Sequence, residues 1–363
     1  MEEPVHKKTR TDDDDNVALV LYGVDDLKMV PWEKPLPKPG EVLLRMQSVG
    51  ICGSDVHYWT AGRIGDFVVT SPMVMGHEAS GCVVAVGDGV KNLQVGDRVA
   101  IEPGVPCRHC DHCKQGTYNL CPDMRFCATP PIHGSLAHYY CHDADFCYKL
   151  PSNVSYDHAA LLEPLSVGVH ACQRAGVCLG SKVLICGAGP IGLVCLLTAK
   201  ACGAAHVIVT DIVEQRLEVA MAMGADQVIK VDTKDTQKLA NQIREKMGGA
   251  PNMAIECTGV EASVSTAIYA TRSGGVVVLV GLGAAMATIP IVNASVREVD
   301  IRGIFRYRNC YPVALEMVSS GRVPADKLDH MITHHYKLAN SLEAFETAKT
   351  GRGGAIKVMI HCD

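Results

Sequence analysis

The sequence has few aromatic residues and no excess of basic ones. Phe, Trp and Tyr make up 5% of its 363 residues, so its cores must be built from aliphatic side chains and methionine. The formal net charge is −5, whereas a protein that binds a nucleic-acid backbone needs a basic surface. We therefore predict no nucleic-acid partner, although a local basic patch stays open.

Long apolar runs are also missing, and we expect no targeting segment. No stretch approaches the roughly 18 apolar residues of a membrane span, so we predict no membrane partner. The N-terminus is acidic, with four aspartates at 12–15, whereas signal and transit peptides are apolar or rich in arginine and poor in acids. We expect a cytoplasmic protein whose residues 1–16 form a disordered tail, because they are charged and aperiodic.

Cysteine, in contrast, is abundant, with 17 residues. In a reducing compartment such thiols do not form disulfides, although clusters of them can bind metal. Four of them follow the spacing C-x2-C-x2-C-x7-C, a pattern that can enclose one tetrahedral zinc ion and leave no position open. This spacing predicts a structural zinc site. Its ligands would be Cys107, Cys110, Cys113 and Cys121.

Two other interpretations of this cysteine-rich lobe are possible. The thiols could be ordinary reduced surface cysteines, or the lobe could be a zinc module that binds nucleic acid. The second needs unbalanced basic charge, but Arg108, Lys114 and Arg125 are accompanied by Asp111 and Asp123. Both interpretations are less favoured than a structural zinc site.

The length and the pattern of hydrophobic residues predict two domains. Up to about residue 150, short strands are punctuated by Gly and Pro, which is typical of an antiparallel, barrel-like β domain. From about 155 to 300, strand-like runs alternate with helical stretches, which predicts an α/β fold with a doubly wound parallel sheet. The chain ends in an apolar strand at 356–360, which we expect to rejoin the first domain.

A glycine motif marks a dinucleotide site in the second domain. Gly-x-Gly-x-x-Gly at 187–192 follows a predicted strand and opens a predicted helix. Gly187 allows the tight turn, Gly189 lets the backbone approach a pyrophosphate, and Gly192 allows close packing of helix on strand. The free N–H groups of the helix N-terminus favour the phosphates. A glycine turn without a ligand is the weaker alternative.

Asp211 indicates which dinucleotide binds. It ends the next strand about 20 residues after the glycines, where a carboxylate bonds the ribose hydroxyls and repels a 2′-phosphate. We therefore predict NAD rather than NADP. Arg216, five residues later, could meet a phosphate, but beside Asp211 we interpret it as packing near the adenine ribose.

A second metal site is suggested by residues that are dispersed along the chain. Cys52, His77, Glu78 and Glu163 include the three side-chain types that bind zinc, and three protein ligands leave a fourth position open for catalysis. Each residue alone is unremarkable, since a single histidine in a loop is usually structural. The hypothesis depends on the set.

The chain resembles the zinc-dependent medium-chain alcohol dehydrogenases, and within them those that oxidise polyols, over residues 17–361. The motifs that carry the resemblance are Gly-Ile-Cys-Gly-Ser-Asp-Val-His-Tyr at 50–58, Gly-His-Glu at 76–78, Val-Gly-Asp-Arg-Val at 95–99, the four-cysteine lobe, Leu-Leu-Glu-Pro-Leu-Ser-Val-Gly-Val-His-Ala at 161–171, Gly-Ala-Gly-Pro-Ile-Gly at 187–192 and Phe-Arg-Tyr at 305–307. The resemblance implies a GroES-like catalytic domain (17–167), a Rossmann NAD-binding domain (168–303), a return segment (304–363) and a homotetramer.

The resemblance also implies roles for individual residues. Cys52, His77, Glu78 and a water would bind the catalytic zinc, while Glu163 would hold that water or bind the metal directly, which stays open. Ser54 and His57 would relay a proton to solvent. The implied substrate contacts are Tyr58, Phe126, Glu163, Arg306 and Tyr307. The implied NAD contacts, beyond the glycines, Asp211 and Arg216, are Ile191, Val280 and Leu282.

The implied reaction is oxidation of a secondary alcohol of a polyol to a ketose, such as sorbitol to fructose, with xylitol and L-iditol as further substrates. Zinc would lower the pKa of the hydroxyl, and NAD would accept the hydride. The alternatives are another zinc dehydrogenase of this family, acting on threonine or a simple alcohol, and a non-catalytic, crystallin-like protein. The preferred polyol and the physiological direction stay open.

Overall fold

The structure is a computed structural model that describes residues 16–362. Asn16 is already ordered, because its amide nitrogen donates to the carbonyl oxygen of Glu33 (3.2 Å) and its Oδ1 accepts from the backbone nitrogen of Tyr139 (3.0 Å). The tail prediction is therefore wrong for this residue, whose amide pairs with two backbone segments. The rest of the predicted tail, 1–15, lies outside the described residues.

Between residues 16 and 160, the described part of the chain contains twelve strands and three short α-helices. The strands are β1 (Val17–Gly23), β2 (Asp26–Pro31), β3 (Glu41–Gly50), β4 (Arg63–Ile64), β5 (Phe67–Val68), β6 (Met73–Val74), β7 (Glu78–Val86), β8 (Arg98–Ile101), β9 (Gly104–Val105), β10 (Arg125–Phe126), β11 (Tyr139–Asp143) and β12 (Cys147–Lys149). The helices are α1 (Gly53–Ala61), α2 (Asp111–Lys114) and α3 (Tyr156–Ala160).

Strands and helices alternate in the second part. In chain order they are α4 (Leu162–Ala175), β13 (Lys182–Cys186), α5 (Pro190–Ala201), β14 (His206–Asp211), α6 (Glu214–Ala222), β15 (Gln227–Lys230), α7 (Thr236–Met247), β16 (Met253–Glu256), α8 (Glu261–Ala270), β17 (Val276–Leu279), α9 (Ile291–Ser295) and β18 (Asp300–Gly303). The final segment contains α10 (Tyr311–Ser319), α11 (Ala325–Asp329), β19 (Ile332–Lys337), α12 (Ser341–Thr350) and β20 (Lys357–His361).

The predicted doubly wound sheet is confirmed. Its six parallel strands follow the order β15-β14-β13-β16-β17-β18. Alternate residues of β13 pack on opposite helix layers: Val183 and Ile185 join the core formed with α4 and α5, whereas Leu184 and Cys186 join the core formed with α7 and α8. The strand order reverses between β13 and β16, which opens a crevice at their carboxyl ends.

The predicted antiparallel domain is also confirmed, and the end of the chain completes it. Seven strands form one sheet, in the order β12-β8-β7-β3-β20-β19 with β11 also on β3, and only β19 and β20 pair in parallel. β20 pairs with β3, with Met359 opposite Gly50. This pairing supports the proposed return segment, while the domain boundaries stay a prediction.

Candidate active site

Two neighbouring strands bring Cys52, His77 and Glu78 together. Gly50, at the end of β3, pairs with Glu78 at the start of β7, so the residues just outside both strands meet at one edge. The potential ligand atoms of the three residues all lie within 4.8 Å of one another. A thiolate, an imidazole and a carboxylate in this arrangement fit zinc and leave a fourth position open.

Gly50 is needed for this close approach. A Cβ atom at position 50 would lie 2.3 Å from Oε2 of Glu78, a distance that real Cβ atoms essentially never show. Glu78 is itself almost fully buried, so its carboxylate has no room to move aside. Only glycine therefore lets β3 pass beside the carboxylate.

Asp55 holds two of the three candidate ligands in place. Its carboxylate accepts a hydrogen bond from the backbone nitrogen of Cys52 (3.0 Å), which caps α1, and lies 3.3 Å from Nδ1 of His77. Burial alone would lower the pKa of His77, but Asp55 and Cys52 raise it well above its usual value. The surroundings of His77 therefore favour a positive charge, which a zinc ion would supply.

A buried lysine pairs with Glu78. Nζ of Lys357, on β20, lies 2.6 Å from both carboxylate oxygens of Glu78 and donates to the carbonyl oxygen of Ile51 (3.1 Å). Burial lowers the pKa of Lys357, but Glu78 and the thiol of Cys52 more than offset this effect, so the pKa is raised. Glu78 would share its oxygens between this ammonium group and a bound zinc ion.

Glu163 lies in the first turn of α4, outside the group that Cys52, His77 and Glu78 form. Its Oε1 accepts a hydrogen bond from the hydroxyl of Tyr307 (2.9 Å), and burial raises its pKa to about 7. The negative charge of Glu78 also raises this pKa. Of the two carboxylates that the sequence left open, the geometry favours Glu78 as the direct zinc ligand and Glu163 as a nearby acceptor.

Arg306 lies between aromatic rings and polar groups beside this cluster. Its guanidinium carbon is 3.6 Å from the ring centre of Phe126, whose ring is 5.9 Å from that of His77. Nη2 of Arg306 donates to the hydroxyl of Thr129 (3.2 Å). Burial raises the pKa of the Tyr58 hydroxyl, while Thr129 and the charge of Arg306 act in the opposite direction.

The glycine motif adopts the geometry that a dinucleotide needs. Gly187 has a φ of 99°, and a Cβ at Gly192 would lie 1.8 Å from the carbonyl oxygen of Gly187. Gly189 caps α5, and no atom lies within 4 Å of the place where its Cβ would be. The helix N-terminus thus offers free N–H groups and open space to a pyrophosphate.

Asp211 organises the loops on both sides of this motif. Its Oδ2 accepts from the backbone nitrogen of Ala188 (2.7 Å), and its Oδ1 accepts from that of Val213 (2.8 Å). Each carboxylate oxygen has a second lone pair with which it can bind a ribose hydroxyl. Arg216 lies in the first turn of α6, half-buried, close to Asp211 in sequence.

The other predicted NAD contacts lie at the same edge of the sheet. Ile191 is in the first turn of α5 and half-buried, and Val280 follows β17. Leu282 is 81% exposed, so an adenine or nicotinamide ring could cover it. Gly281 packs directly against the backbone of Gly259, which joins the loops that follow β16 and β17.

The four cysteines of the lobe converge as predicted. Their sulfur atoms all lie within 4.8 Å of one another, with Cys110 and Cys113 3.4 Å apart. Backbone N–H groups lower the pKa of Cys107 to about 6, whereas burial raises that of Cys113 to about 12. Backbone donors thus favour the thiolate form of Cys107, and the four sulfur atoms fit a closed tetrahedral zinc site. Within the described residues no sulfur pairs as a disulfide.

Two arginines of the lobe pair with acidic residues of another segment. Arg108 binds Asp145 (2.7 Å) and Asp143 (2.9 Å), and Arg125 binds Asp143 (2.8 Å). Both arginines are thus neutralised by the segment around the end of β11 rather than by acids of the lobe. This pairing leaves little free positive charge for a nucleic-acid backbone.

Comparison with known proteins agrees with this geometry. Residues 38–152 match the model for the alcohol dehydrogenase GroES-like domain, and residues 190–320 match the model for zinc-binding dehydrogenases. The chain is 56% identical to sorbitol dehydrogenase of Bos taurus over 96% of its own length and 97% of the relative's. The chain belongs to the zinc-dependent medium-chain alcohol dehydrogenases.

Solved structures of this family superpose on nearly the whole chain. An Escherichia coli oxidoreductase of unknown specificity is 40% identical, with a TM-score of 0.89 over 96% of this chain and 99% of that one. An alcohol dehydrogenase from E. coli CFT073, solved with its cofactor NADH, is 27% identical, with a TM-score of 0.87 over 96% and 100%. The fold that positions the two sites is therefore the family fold.

Three residues of the site were not predicted from the sequence. Lys357 and Thr129 belong to none of the motifs, and tertiary contacts bring them to the cluster. Asp55 could have been found, because Cys52 and Asp55 have the spacing of a helix capping box.

Ser54 lies 3.5 Å from Nε2 of His77, and His57 is exposed on α1. Their role as a proton relay stays a prediction.

We expect two zinc ions per chain, with different lability. The four-cysteine site encloses its ion, whereas the site of Cys52, His77 and Glu78 has an open position through which a chelator can attack. A chelator should therefore remove one zinc first and abolish activity while the fold survives. Elemental analysis and circular dichroism along a chelator titration test this. A single zinc ion per fully metallated chain would refute it.

Asp211 should set the cofactor preference. Asp211→Ala is expected to lower kcat/KM for NAD by about tenfold or more, since a charge-assisted hydrogen bond is worth roughly 1.5–3 kcal/mol. The preference for NAD over NADP should also become smaller, because Arg216 could then bind the 2′-phosphate of NADP. Asp211→Asn is the matched variant, since it removes the charge and keeps an acceptor for Ala188 or Val213. Equal use of NAD and NADP by the unaltered enzyme would contradict the prediction.

Proposed function

We propose that this protein oxidises a secondary alcohol of a small polyol to a ketose, with zinc and NAD as cofactors. The observation that carries the proposal is the combination of a three-ligand metal site with polar groups beside it. Arg306, Tyr58 and the Glu163–Tyr307 pair provide donors and acceptors for several hydroxyls. The 56% identity to sorbitol dehydrogenase of Bos taurus supports the same substrate class.

Some residues of the chain would bind the zinc ion, and others hold these ligands in position. Zinc, when it is bound by Cys52, His77 and Glu78, supplies a Lewis acid that lowers the pKa of a substrate hydroxyl, and NAD supplies the hydride acceptor. Asp55 keeps His77 oriented toward the site, and Lys357 keeps the carboxylate of Glu78 in place. Such supporting groups fix the orientation of metal ligands.

The substrate hydroxyl must lose its proton to solvent. Ser54, two residues after Cys52, lies beside His77, and His57 lies one turn further along α1 with its side chain exposed. We propose that the hydroxyl of Ser54 accepts the proton as it releases its own toward His57, and that His57 passes a proton on to bulk water. Glu163, whose pKa burial raises to about 7, can hold a hydroxyl or a water near the reacting carbon as either acceptor or donor.

A site built to pair several hydroxyls should reject simple alcohols. When the substrate lacks the hydroxyls, the buried partners are left unpaired, and such sites discriminate strongly. A monohydric alcohol would leave Arg306 and the Glu163–Tyr307 pair without ligands. Specificity for polyols thus follows from the polar groups beside the metal site rather than from the metal itself.

A substrate panel tests the proposed function. The purified zinc-loaded enzyme is assayed with sorbitol, xylitol, L-iditol, threonine and ethanol, each with NAD and NADP. We expect kcat/KM with NAD to be highest on the polyols. A preference for threonine or ethanol would assign the chain to another substrate class of the family. Absence of turnover on all five, with both metals bound, would favour a non-catalytic role.

We further propose that the chain forms a homotetramer in the cytoplasm. At one edge of the parallel sheet, β17 is the one strand of the described residues that pairs with β18, and several apolar side chains nearby are exposed, as expected of a surface that a second copy covers. These are Met286, Ile291, Val292 and Val296. None of the helices within 16–362 is both long and apolar enough to cross a membrane. Light scattering of the purified protein tests the assembly.

A further inference from the structure

A third group of potential metal ligands lies on the first domain, outside both zinc sites. It consists of Asp157 on α3, His335 on β19 and His361 on β20. One potential ligand atom from each residue lies within 4.8 Å of the other two. Neither the candidate reaction nor the four-cysteine lobe uses these side chains. We call them the Asp157 cluster.

The distances within the Asp157 cluster match those of a metal site. Nε2 of His361 lies 3.1 and 3.2 Å from the two carboxylate oxygens of Asp157, and Nδ1 of His335 lies 3.8 Å from Oδ2. Ligands about 2.1 Å from a tetrahedral zinc ion are separated by roughly 3.3–3.5 Å. The observed separations bracket this value, so an ion needs only small side-chain shifts.

The backbone holds the two histidines on one face. β19 and β20 pair in parallel with His335 opposite Met359, which is two residues before His361. Residues two apart on a strand point to the same side of the sheet. Ser48, on the adjoining strand β3, donates a hydrogen bond to Oδ1 of Asp157, and both carboxylate oxygens of Asp157 also lie within 3.2 Å of Nε2 of His361. The cluster is therefore oriented before any ion binds.

The Asp157 cluster is also accessible. The side chains of His335, His361 and Asp157 are 50%, 36% and 24% exposed, so an ion can enter from solvent and keep water at its remaining position. Two imidazoles and one carboxylate suit zinc and its neighbours copper and nickel, whereas calcium and magnesium prefer oxygen ligands alone.

We propose that Asp157, His335 and His361 form a third metal site, which binds a divalent transition ion such as Zn²⁺. A bound ion would link α3 to β19 and β20, three elements that come together only in the folded domain. Because the unfolded chain does not hold the three ligands together, binding would raise the stability of the fold. The proposal does not depend on the proposed dehydrogenase activity.

The experiment compares zinc binding by the intact enzyme and by variants with one ligand removed. Protein that already holds its tightly bound zinc is dialysed against increasing micromolar Zn²⁺, and bound metal is measured by elemental analysis. His335→Gln and His361→Gln should each weaken the additional binding by about tenfold or more, since even the loss of a supporting group costs metal sites 10–100-fold. His334→Gln, one residue away on β19, is the matched control and should bind like the unaltered enzyme.

Thermal unfolding supplies a second readout. Added Zn²⁺ should raise the Tm of the unaltered enzyme and of His334→Gln, and this rise should be lost in both ligand variants. Absence of an additional zinc equivalent, or equal binding by all four proteins, would overturn the proposal and leave the cluster as a hydrogen-bonded group only. Turnover on sorbitol without added metal should be unchanged in all variants, so a failed metal site and a failed dehydrogenase assignment remain distinguishable.

Discussion

Replacing Cys52 with alanine should remove the open-site zinc and nearly all turnover on every substrate. The Cys52 thiolate is one of the three side chains of the candidate metal group, and alanine offers no ligand atom in its place. Lewis-acid stabilisation of the developing alkoxide is worth several kcal/mol, so the loss in kcat should be about a thousandfold or more. Elemental analysis should find one zinc ion per chain instead of two.

Cys178→Ala is the matched control, since this thiol is exposed and belongs to no metal group in the described residues. It should keep two zinc ions and normal turnover. The fold of Cys52→Ala should persist, because the four-cysteine site is untouched and Cys52 belongs to none of the hydrophobic cores of the described residues; circular dichroism checks this. Substantial turnover by a Cys52→Ala enzyme that has lost one zinc would contradict the role of the metal site.

The parallel sheet could be predicted as far as β17, because its strands and helices differ in hydrophobic period, whereas its sixth strand, β18, was not predicted. The sequence predicts a charged helix at about 235–247, and the structure has α7 at Thr236–Met247. The strand at 182–186 is β13. The glycine motif could likewise be interpreted, because Gly187 adopts a positive φ and Gly192 has no room for a Cβ atom.

Contacts between distant segments could not be predicted in this way. Lys357 is 279 residues from Glu78, and their ion pair exists only because β20 pairs with β3, which pairs with β7. Similarly, counting charges showed that the lobe is balanced but not which acids pair with its arginines, and Arg108 binds Asp145, 37 residues away. Charge balance is a property of composition, but the choice of partner depends on the tertiary fold.

Arg306 should determine efficiency on polyols. Arg306→Ala is expected to keep both zinc ions and NAD binding but to lower kcat/KM on sorbitol ten- to a hundredfold. The reason is that a charge-assisted hydrogen bond to a substrate hydroxyl is worth roughly 1.5–3 kcal/mol. The structure supports this role, because Arg306 packs on Phe126, which contacts His77, and its guanidinium remains anchored by Thr129.

The comparison between substrates distinguishes this role from others. A short diol such as 2,3-butanediol offers one neighbouring hydroxyl besides the one that is oxidised. Arg306→Ala should therefore reduce kcat/KM for the diol much less than kcat/KM for sorbitol. Arg322→Ala, an exposed arginine after α10, is the control and should affect neither substrate. If Arg306→Ala lowers both efficiencies equally, the side chain acts on the cofactor or on a subunit interface. Its polyol-binding role would then be withdrawn, while the zinc site defined by Cys52, His77 and Glu78 would stand unaffected.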